Sequence, residues 1–321
     1  MRACTNATQP TGTPPDNSAA GGARPPVTSN LAGVLRPDEG LRHFTLGRPA
    51  AHPDLDLWVD RYWTVRWELP PGASYLSSVL SHPALHLSVE SGDGPRHGFP
   101  MPATLLHGVV TRRFDILLRG EGRVFGVKFR PGGFAAFTGL DTGGGVDVAS
   151  YTDRAVLLAD VLGGGGGGAI GSPAAADGGV AELQASILAA GEDDERVALM
   201  DEFLLARRPS VADPRYQELL AIVAEMLADR SLTSVQSVTD RFNVEPRTLQ
   251  RLFRRYVGVG PKWVLRRFRL HDAQLMLDAG EVEDLATLAT TLGWFDQAHF
   301  TRDFRAAVGV PPRVYTAPTP G

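Results

Sequence analysis

The sequence contains only one cysteine, Cys4, in 321 residues. A single thiol excludes an intramolecular disulfide and any zinc site built from several cysteines, so a reducing cytoplasm is the expected compartment. Long apolar runs are also absent, since no stretch reaches the roughly 18 residues that a membrane span needs, and the N-terminus lacks the apolar core of a secretory signal. We therefore expect a cytoplasmic protein with no membrane partner.

Charge of neither sign dominates the chain, whose formal net charge is −4. Residues 1–212 carry a net charge of −5 and residues 213–321 a net charge of +1. Nine basic residues and a single acid, Glu245, lie between Arg241 and His271. A basic segment in an acidic protein indicates a polyanion-binding element, although a solvated helix face has the same composition.

Composition and periodicity divide the chain into two domains. Residues 1–30 are rich in Pro, Gly, Thr and Asn and lack apolar periodicity. This composition predicts a disordered N-terminal segment, called the lead below. We expect residues 31–206 to form a β-rich domain whose C-terminal part is helical, residues 207–213 to be a linker, and residues 214–316 to be all-helical. The predicted fold class is two-domain α+β, with a cupin-like barrel or sandwich preceding a helical domain.

Period-2 alternation is the main strand signal. Trp63, Val65 and Trp67 alternate with more polar residues up to a Pro-Pro-Gly break. We interpret these aromatic residues as core, and the alternative is that they line a ligand pocket on the inner face of a small barrel. Further short strands are predicted at 79–80, 85–89, 105–110, 114–118 and 124–129. Helices are predicted at 155–162, 180–190 and 194–206. The glycine run 163–168 lacks the Gly-Lys-Ser/Thr ending of a phosphate-binding loop, so a flexible loop is expected.

The last 90 residues contain a tandem duplication with an offset of 51 residues. The matching pairs are Leu249/Phe300, Arg251/Arg302, Phe253/Phe304, Arg254/Arg305, Gly258/Gly309, Val259/Val310 and Pro261/Pro312. In the first copy, Thr233 is expected to cap a helix that ends at Phe242, followed by a turn at Asn243 and a second helix from Pro246. In the second, Glu283 and Asp284 are expected to open a helix that ends at Leu292, followed by a turn at Gly293 and a helix capped by Asp296. Each copy therefore predicts a helix-turn-helix unit.

The second helix of each unit has one apolar and one polar face at 100° per residue. In the first copy the polar face carries Arg247, Gln250, Arg251, Arg254 and Arg255, and in the second it carries Ala298, His299, Arg302 and Arg305. Arg can donate two hydrogen bonds to guanine and Gln can pair with adenine in the major groove. The segment 262–279 is apolar on two sides and predicts a spacer helix of roughly 27 Å, close to the roughly 34 Å between successive major grooves.

These residues resemble the AraC/XylS-type transcriptional regulators over about 100 positions. The resemblance is carried by the run Thr-Leu-Gln-Arg-Leu-Phe-Arg-Arg-Tyr-Val-Gly-Val-Gly-Pro at 248–261, by Leu292-Gly293-Trp294, by 297–302 with Phe304, and by 309–312 with Tyr315. The resemblance implies base-reading roles for Arg247, Gln250, Arg251, Gln297, Ala298, His299 and Arg302. We expect Arg254, Arg255 and Arg305 to contact phosphates. Thr239, Glu245 and Phe295 depart from the usual pattern.

The N-terminal part is similar to the effector-type domain that precedes this module in some actinobacterial members. The residues that carry this similarity are Arg61-Tyr62-Trp63, Pro70-Pro71-Gly72, His107-Gly108, Arg112-Arg113-Phe114 and the segment 127–134. The resemblance implies double-stranded DNA and RNA polymerase as partners, and it leaves a small-molecule effector and a homodimer open.

No catalytic or metal centre is predicted. His82, His86, His97 and His107 lack the His-x-His spacing with downstream Glu and His, so we expect no metal site and no cofactor. A DNA-repair enzyme that transfers an alkyl group to cysteine is disfavoured, because Cys4 lies in the lead without a nearby base. We therefore expect a regulator and not an enzyme. The alternative is a ligand-independent regulator whose N-terminal domain is a protein-interaction or dimerisation module.

Overall fold

A computed structural model describes residues 33–139, 147–163 and 178–316. The predicted lead at 1–30 and the glycines 164–168 lie outside the described residues. The β-strands are β1 (Phe44–Gly47), β2 (Val59–Glu68), β3 (Ser74–Leu80), β4 (His86–Gly92), β5 (Ala103–His107), β6 (Arg113–Arg119), β7 (Glu121–Phe129) and β8 (Ala155–Leu157). The α-helices are α1 (Pro37–Gly40), α2 (Gly133–Thr138), α3 (Leu158–Gly163), α4 (Val180–Ala189), α5 (Asp193–Leu205), α6 (Pro214–Ala228), α7 (Val235–Phe242), α8 (Pro246–Val257), α9 (Pro261–Asp278), α10 (Leu285–Thr291), α11 (Gln297–Val308) and α12 (Pro312–Tyr315).

The strands form two antiparallel sheets that face each other. The larger sheet has the order β1-β2-β7-β4-β5-β8, and the smaller consists of β3 paired with β6. Strand β2 pairs along its length with β7, for example Trp63 opposite Gly126 and Trp67 opposite Gly122. Side chains from both sheets line one cavity, so the predicted β-rich barrel or sandwich is confirmed.

Alternation in β2 separates the two faces of the larger sheet. Tyr62 is fully buried on the face that the helices cover, whereas Trp63 and Trp67 face the cavity between the sheets. The predicted helix 155–162 is wrong at its start, because Ala155–Leu157 pair as β8 with β5 before α3 begins. These three residues are too few to distinguish the helical period from the strand period. Pairing with the edge of the larger sheet therefore decided that they form a strand.

The predicted helix-turn-helix units are present at α7–α8 and α10–α11. Asn243 has the left-handed conformation expected of the first turn, with φ 49°, and Pro246 begins α8. Asp284 and Asp296 cap α10 and α11 by accepting hydrogen bonds from Thr287 and His299 amides. The expected cap at Thr233 is off by one residue, because the Ser234 hydroxyl accepts the Ser237 amide hydrogen bond instead.

Buried clusters of apolar side chains join the two domains, and one of them lies beneath α6 and α8. It contains Phe129 and Phe134 from the β-rich domain together with Tyr216, Leu219 and Phe253 from the helical domain. The backbone approaches closely at Gly132, where φ is 79° and a Cβ atom would lie 2.7 Å from Leu219 Cδ2. A second buried cluster covers α10 and α11 and includes Leu35 and Leu80 from the β-rich domain. The domain boundaries therefore remain predictions, since both hydrophobic cores cross them.

Candidate DNA-binding surface and regulatory cavity

Helix α8 presents its predicted reading residues to solvent. Its buried residues are Leu249, Leu252, Phe253, Tyr256 and Val257. Arg247, Gln250 and Arg251 are exposed on the opposite face. Within the described residues neither Arg247 nor Arg251 forms an ion pair, so both guanidinium groups are available to a polyanion.

Helix α11 presents a second, less basic surface. Ala298, His299 and Arg302 are exposed and Gln297 is half-buried, while Phe300 and Phe304 are fully buried beneath them. His299 Nε2 lies 3.5 Å from Asp303 Oδ2, and the same carboxylate oxygen accepts a hydrogen bond from Trp294 Nε1 at 3.0 Å. The hydrogen bond between Trp294 and Asp303 therefore anchors the turn before α11 to the side of that helix.

The sequence marks Phe295 only as a departure from the family pattern. It lies immediately before the Asp296 cap of α11 and is 89% exposed. An exposed aromatic side chain at the leading end of such a helix offers apolar contact to a thymine methyl group.

Not every arginine of the basic segment faces solvent. Arg267 is 2% exposed, and its Nη2 donates hydrogen bonds to the carbonyl oxygens of Thr111 at 2.7 Å and Val110 at 3.4 Å. Arg269 lies over the Trp294 ring and donates from Nε to the carbonyl oxygen of Leu292. Both side chains hold α9 to its neighbours, so the polyanion-binding interpretation applies to only part of the segment.

The predicted phosphate-contacting arginines have different surroundings. Arg305 is exposed, and Arg255 is half-buried with its guanidinium 5.1 Å from the centre of the Tyr256 ring. Arg254 is 75% exposed, and its Nη2 lies 3.2 Å from the Asp147 carboxylate of the β-rich domain. DNA phosphate would have to compete with Asp147 for Arg254.

The β-rich domain contacts both reading helices at their C-terminal ends. At the end of α8, Gly258 packs against Ala149, where a Cβ atom would lie 3.2 Å from the Ala149 Cα. At the equivalent end of α11, Arg113 Nη1 donates to the Val308 carbonyl oxygen at 3.2 Å. Cations at helix C-termini are favoured by the helix dipole. The relative placement of α8 and α11 therefore depends on the β-rich domain as well as on α9.

The cavity between the two sheets has a volume of about 200 Å³. Aromatic and aliphatic side chains form most of its wall, including Trp63, Trp67 and Phe114, and charged groups also line it. One of these groups, the Lys128 ammonium, lies 2.9 Å from the Asp60 carboxylate. Burial raises the pKa of Asp60, but the positive charges of Lys128 and Arg61 lower it by more. The net effect is a pKa lowered to about 2.

One wall of the cavity is shared with helix α9. His82 lines the cavity and stacks on His271 of α9, with ring centroids 3.9 Å apart. Val34 also lines the cavity, and its carbonyl oxygen accepts a hydrogen bond from Gln274 Nε2 at 2.9 Å. At these two points a single layer of residues therefore separates the cavity from helix α9.

Two protein families match separate parts of the chain. The family described as "Helix-turn-helix domain" matches residues 238–317, and the family described as "Domain of unknown function (DUF6597)" matches residues 48–148. Within the described residues, no helix is long and apolar enough to cross a membrane.

Curated relatives match mainly through the C-terminal region. The HTH-type transcriptional activator RhaS of Pectobacterium carotovorum is 34% identical over 77 residues, which is 24% of this chain and 27% of that protein. The arabinose operon regulatory protein of Escherichia coli is 26% identical over 149 residues, covering 42% of this chain and 50% of that protein. The chain therefore spans half or less of the length of these two relatives.

Among solved structures, ToxT from Vibrio cholerae aligns with 85% of this chain and 98% of its own. The sequence identity is 10% and the TM-score is 0.38. Similarity at this level carries no inference about ligands or partners.

Proposed function

We propose that the chain is a sequence-specific, DNA-binding regulator of transcription, because residues 238–317 match the helix-turn-helix family and the curated relatives matched in this region are transcriptional regulators. The observation that carries this proposal is the pair of exposed reading helices, α8 and α11, on either side of the 18-residue helix α9. Such a spacer is roughly 27 Å long, which suits two successive major grooves on one face of a duplex.

Base reading is assigned to the exposed side chains of these helices. On α8, Arg247, Gln250 and Arg251 present hydrogen-bond donors suited to guanine and adenine edges. On α11, Gln297, Ala298, His299 and Arg302 offer fewer donors, so we expect this unit to contribute more through shape and backbone contact. Arg254, Arg255 and Arg305 would contact phosphates.

We further propose that the β-rich domain controls DNA binding through a small molecule in its cavity. The support is geometric, because the cavity wall contacts α9 at His82 and Val34 while the same domain contacts the ends of α8 and α11 at Asp147 and Arg113. A ligand that bound one arrangement of this wall more tightly would shift the placement of the reading helices. RNA polymerase is proposed as a partner on the basis of the resemblance to AraC/XylS-type regulators.

A second candidate is a regulator without a small ligand, in which the β-rich domain binds protein. The observation that favours it is on the outer face of the smaller sheet, where Leu76 and Leu117 are cross-strand partners and are 52% and 42% exposed. Sedimentation of the wild type and of Leu117→Glu distinguishes the two candidates. A wild-type dimer that the variant dissociates would favour the second, and a monomer in both would favour the first.

The experiment that tests DNA reading is a selection from a random duplex library with the full-length protein at physiological salt. We expect an enriched motif of two short elements about 10 base pairs apart. The Arg247→Ala/Arg251→Ala double variant should lose one element and keep the other. An absence of enrichment for the wild type, repeated with Arg113→Ala and Asp147→Ala to loosen the domain contacts, would contradict the proposal.

A further inference from the structure

Four polar side chains that line the cavity meet near the paired strands β4 and β5. Glu90 lies on β4, Arg96 and His97 lie between β4 and β5, and His107 ends β5. Glu90 Oε1 is 3.3 Å from His107 Nε2 and 3.4 Å from His97 Nε2. The other carboxylate oxygen, Oε2, accepts a hydrogen bond from Arg96 Nε at 3.0 Å. One carboxylate oxygen and two imidazole nitrogens therefore converge.

Strand geometry explains the convergence. His86, Ser88 and Glu90 alternate along β4 and point to the cavity, and His107 pairs opposite His86 on the neighbouring strand. His97 adopts a left-handed backbone conformation, φ 54°, and its ring stacks on Phe114 with centroids 5.5 Å apart. A non-glycine residue held in this region is uncommon, and such residues cluster at ligand sites.

The spacing of the three donor atoms suits a transition metal ion. Bonds of about 2.0–2.1 Å from such an ion to nitrogen and oxygen place neighbouring ligand atoms about 2.9–3.4 Å apart in octahedral or tetrahedral geometry. The two Glu90–His distances fall at the upper end of this range, and all three donor atoms lie within 4.8 Å of one another. Small rotations of the two imidazole rings would bring the donors onto one ion.

We propose that Glu90, His97 and His107 bind a divalent first-row transition metal ion at the wall of the cavity. Two imidazoles and one carboxylate form a ligand set used for Zn²⁺ and Fe²⁺, and they leave further coordination positions open. Those positions face the cavity, where an oxygen or nitrogen atom of a small molecule can complete the coordination. Arg96 holds the outer carboxylate oxygen and orients Glu90 toward the ion.

Spacing along the chain did not predict this site. The two histidines are ten residues apart and neither belongs to a His-x-His pair, so the expectation was that no metal is bound. The ligands converge only because β4 pairs with β5 and the intervening connection folds back over the cavity. The inference is independent of the proposed DNA reading, because metal binding is measured on the protein alone.

A metal-free explanation of the same cluster makes different predictions. The Ser88 hydroxyl donates to Glu90 Oε1 at 2.7 Å and lies 2.8 Å from His107 Nε2. Neutral histidines that donate to Glu90 would satisfy the carboxylate without an ion. In that arrangement the cluster stabilises the fold, and removing His97 or Ser88 would change stability without changing metal content.

The test uses full-length protein stripped with EDTA and dialysed, then loaded with Zn²⁺ or, separately, Co²⁺. After removal of excess ion we expect about one equivalent per chain by mass spectrometry, a visible Co²⁺ absorption band, and a rise in melting temperature with Zn²⁺. His97→Ala and His107→Ala should each weaken retention at least about tenfold. His299→Ala, in the helical domain, should retain the ion.

Two results would overturn the proposal. One is a wild type that retains no ion and whose melting temperature is unchanged by Zn²⁺. The other is equal retention by the wild type and the His97 and His107 variants, which would place the ion elsewhere on the chain. If either alanine variant fails to fold by circular dichroism, His97→Gln and His107→Gln replace it, and the melting shift of the wild type still decides the outcome.

Discussion

Arg113 of β6 donates a hydrogen bond from Nη1 to the carbonyl oxygen of Val308, the last residue of α11, across 195 positions of sequence. The duplicated unit has a corresponding contact, since the end of α8 packs at Gly258 against Ala149. Gly258 and Gly309 are equivalent positions of the two repeats. The β-rich domain therefore holds the two reading helices at matching points.

Arg113→Ala should loosen the placement of α11 without unfolding the chain. We compare affinity for the preferred DNA site with affinity for a site whose two elements are one base pair further apart. The ratio of the two affinities should fall about fivefold, because a partly exposed charged hydrogen bond contributes ~1 kcal/mol. Binding to duplexes of both lengths measures this ratio. Arg112→Ala is the matched control, since Arg112 is an exposed neighbour, and an equal loss in both variants would refute the prediction.

Acidification should weaken the contact between the β-rich domain and α9. Burial, with Arg267 and Lys128 nearby, lowers the pKa of His271 to about 3. Burial and the neighbours His271, Lys128, Arg61 and His86 hold the pKa of His82 well below its usual range. Below about pH 6.5 the unfolded chain binds protons that the folded protein does not, so the free energy of unfolding falls by up to about 1.4 kcal/mol per pH unit for each histidine.

Urea titrations at several pH values between about 7.5 and 4.5 measure this slope. The variant His271→Phe keeps a stacked ring but cannot bind a proton. The slope of its free energy of unfolding against pH should therefore be smaller than that of the wild type, and the difference should equal the contribution of one histidine. Other buried histidines, such as His86, contribute equally to both proteins and cancel in the difference. Identical slopes would show that the stacked pair does not govern the acid sensitivity.

Arg251→Ala should relax base preference at one position of the site. Loss of a bidentate contact to guanine costs about 1–3 kcal/mol against the preferred base and little against the others. Arg255→Ala should weaken binding to all sequences alike and reduce the salt slope by about one unit. Competition binding against single-base variants of the selected site separates the two effects. Equal losses on specific and nonspecific DNA for Arg251→Ala would make its base-reading assignment wrong.

Phe295→Ala should lower affinity for the selected site by about fivefold, ~1 kcal/mol, because an apolar contact is lost. Nonspecific binding should not change, since the side chain carries no charge. Val211→Ala serves as the control, because Val211 is also a largely exposed apolar residue but lies between α5 and α6. Fluorescence anisotropy on specific and random duplexes measures both, and an unchanged specific affinity would remove Phe295 from the reading surface.

Local signals made the helical domain predictable. Pro246 at the first position of α8, Asn243 in the turn and Asp296 as a cap act within one helical turn, so their effects can be read from neighbouring residues. Helical periodicity predicts the apolar faces of α8 and α11, and the residues outside those faces are predicted to be exposed. The same reasoning failed at Ala155–Leu157, where pairing with β5 decided the conformation.

The sequence by itself determined the two repeated units, the exposed polar faces of their second helices and the alternating strands, because each depends on residues that are close along the chain. Tertiary structure decided that buried clusters join the domains, that Arg267 is buried against Thr111 while Arg251 is exposed, and that Glu90 meets His97 and His107. Burial and convergence depend on which distant surfaces pack together. A residue's own periodicity carries no information about that packing.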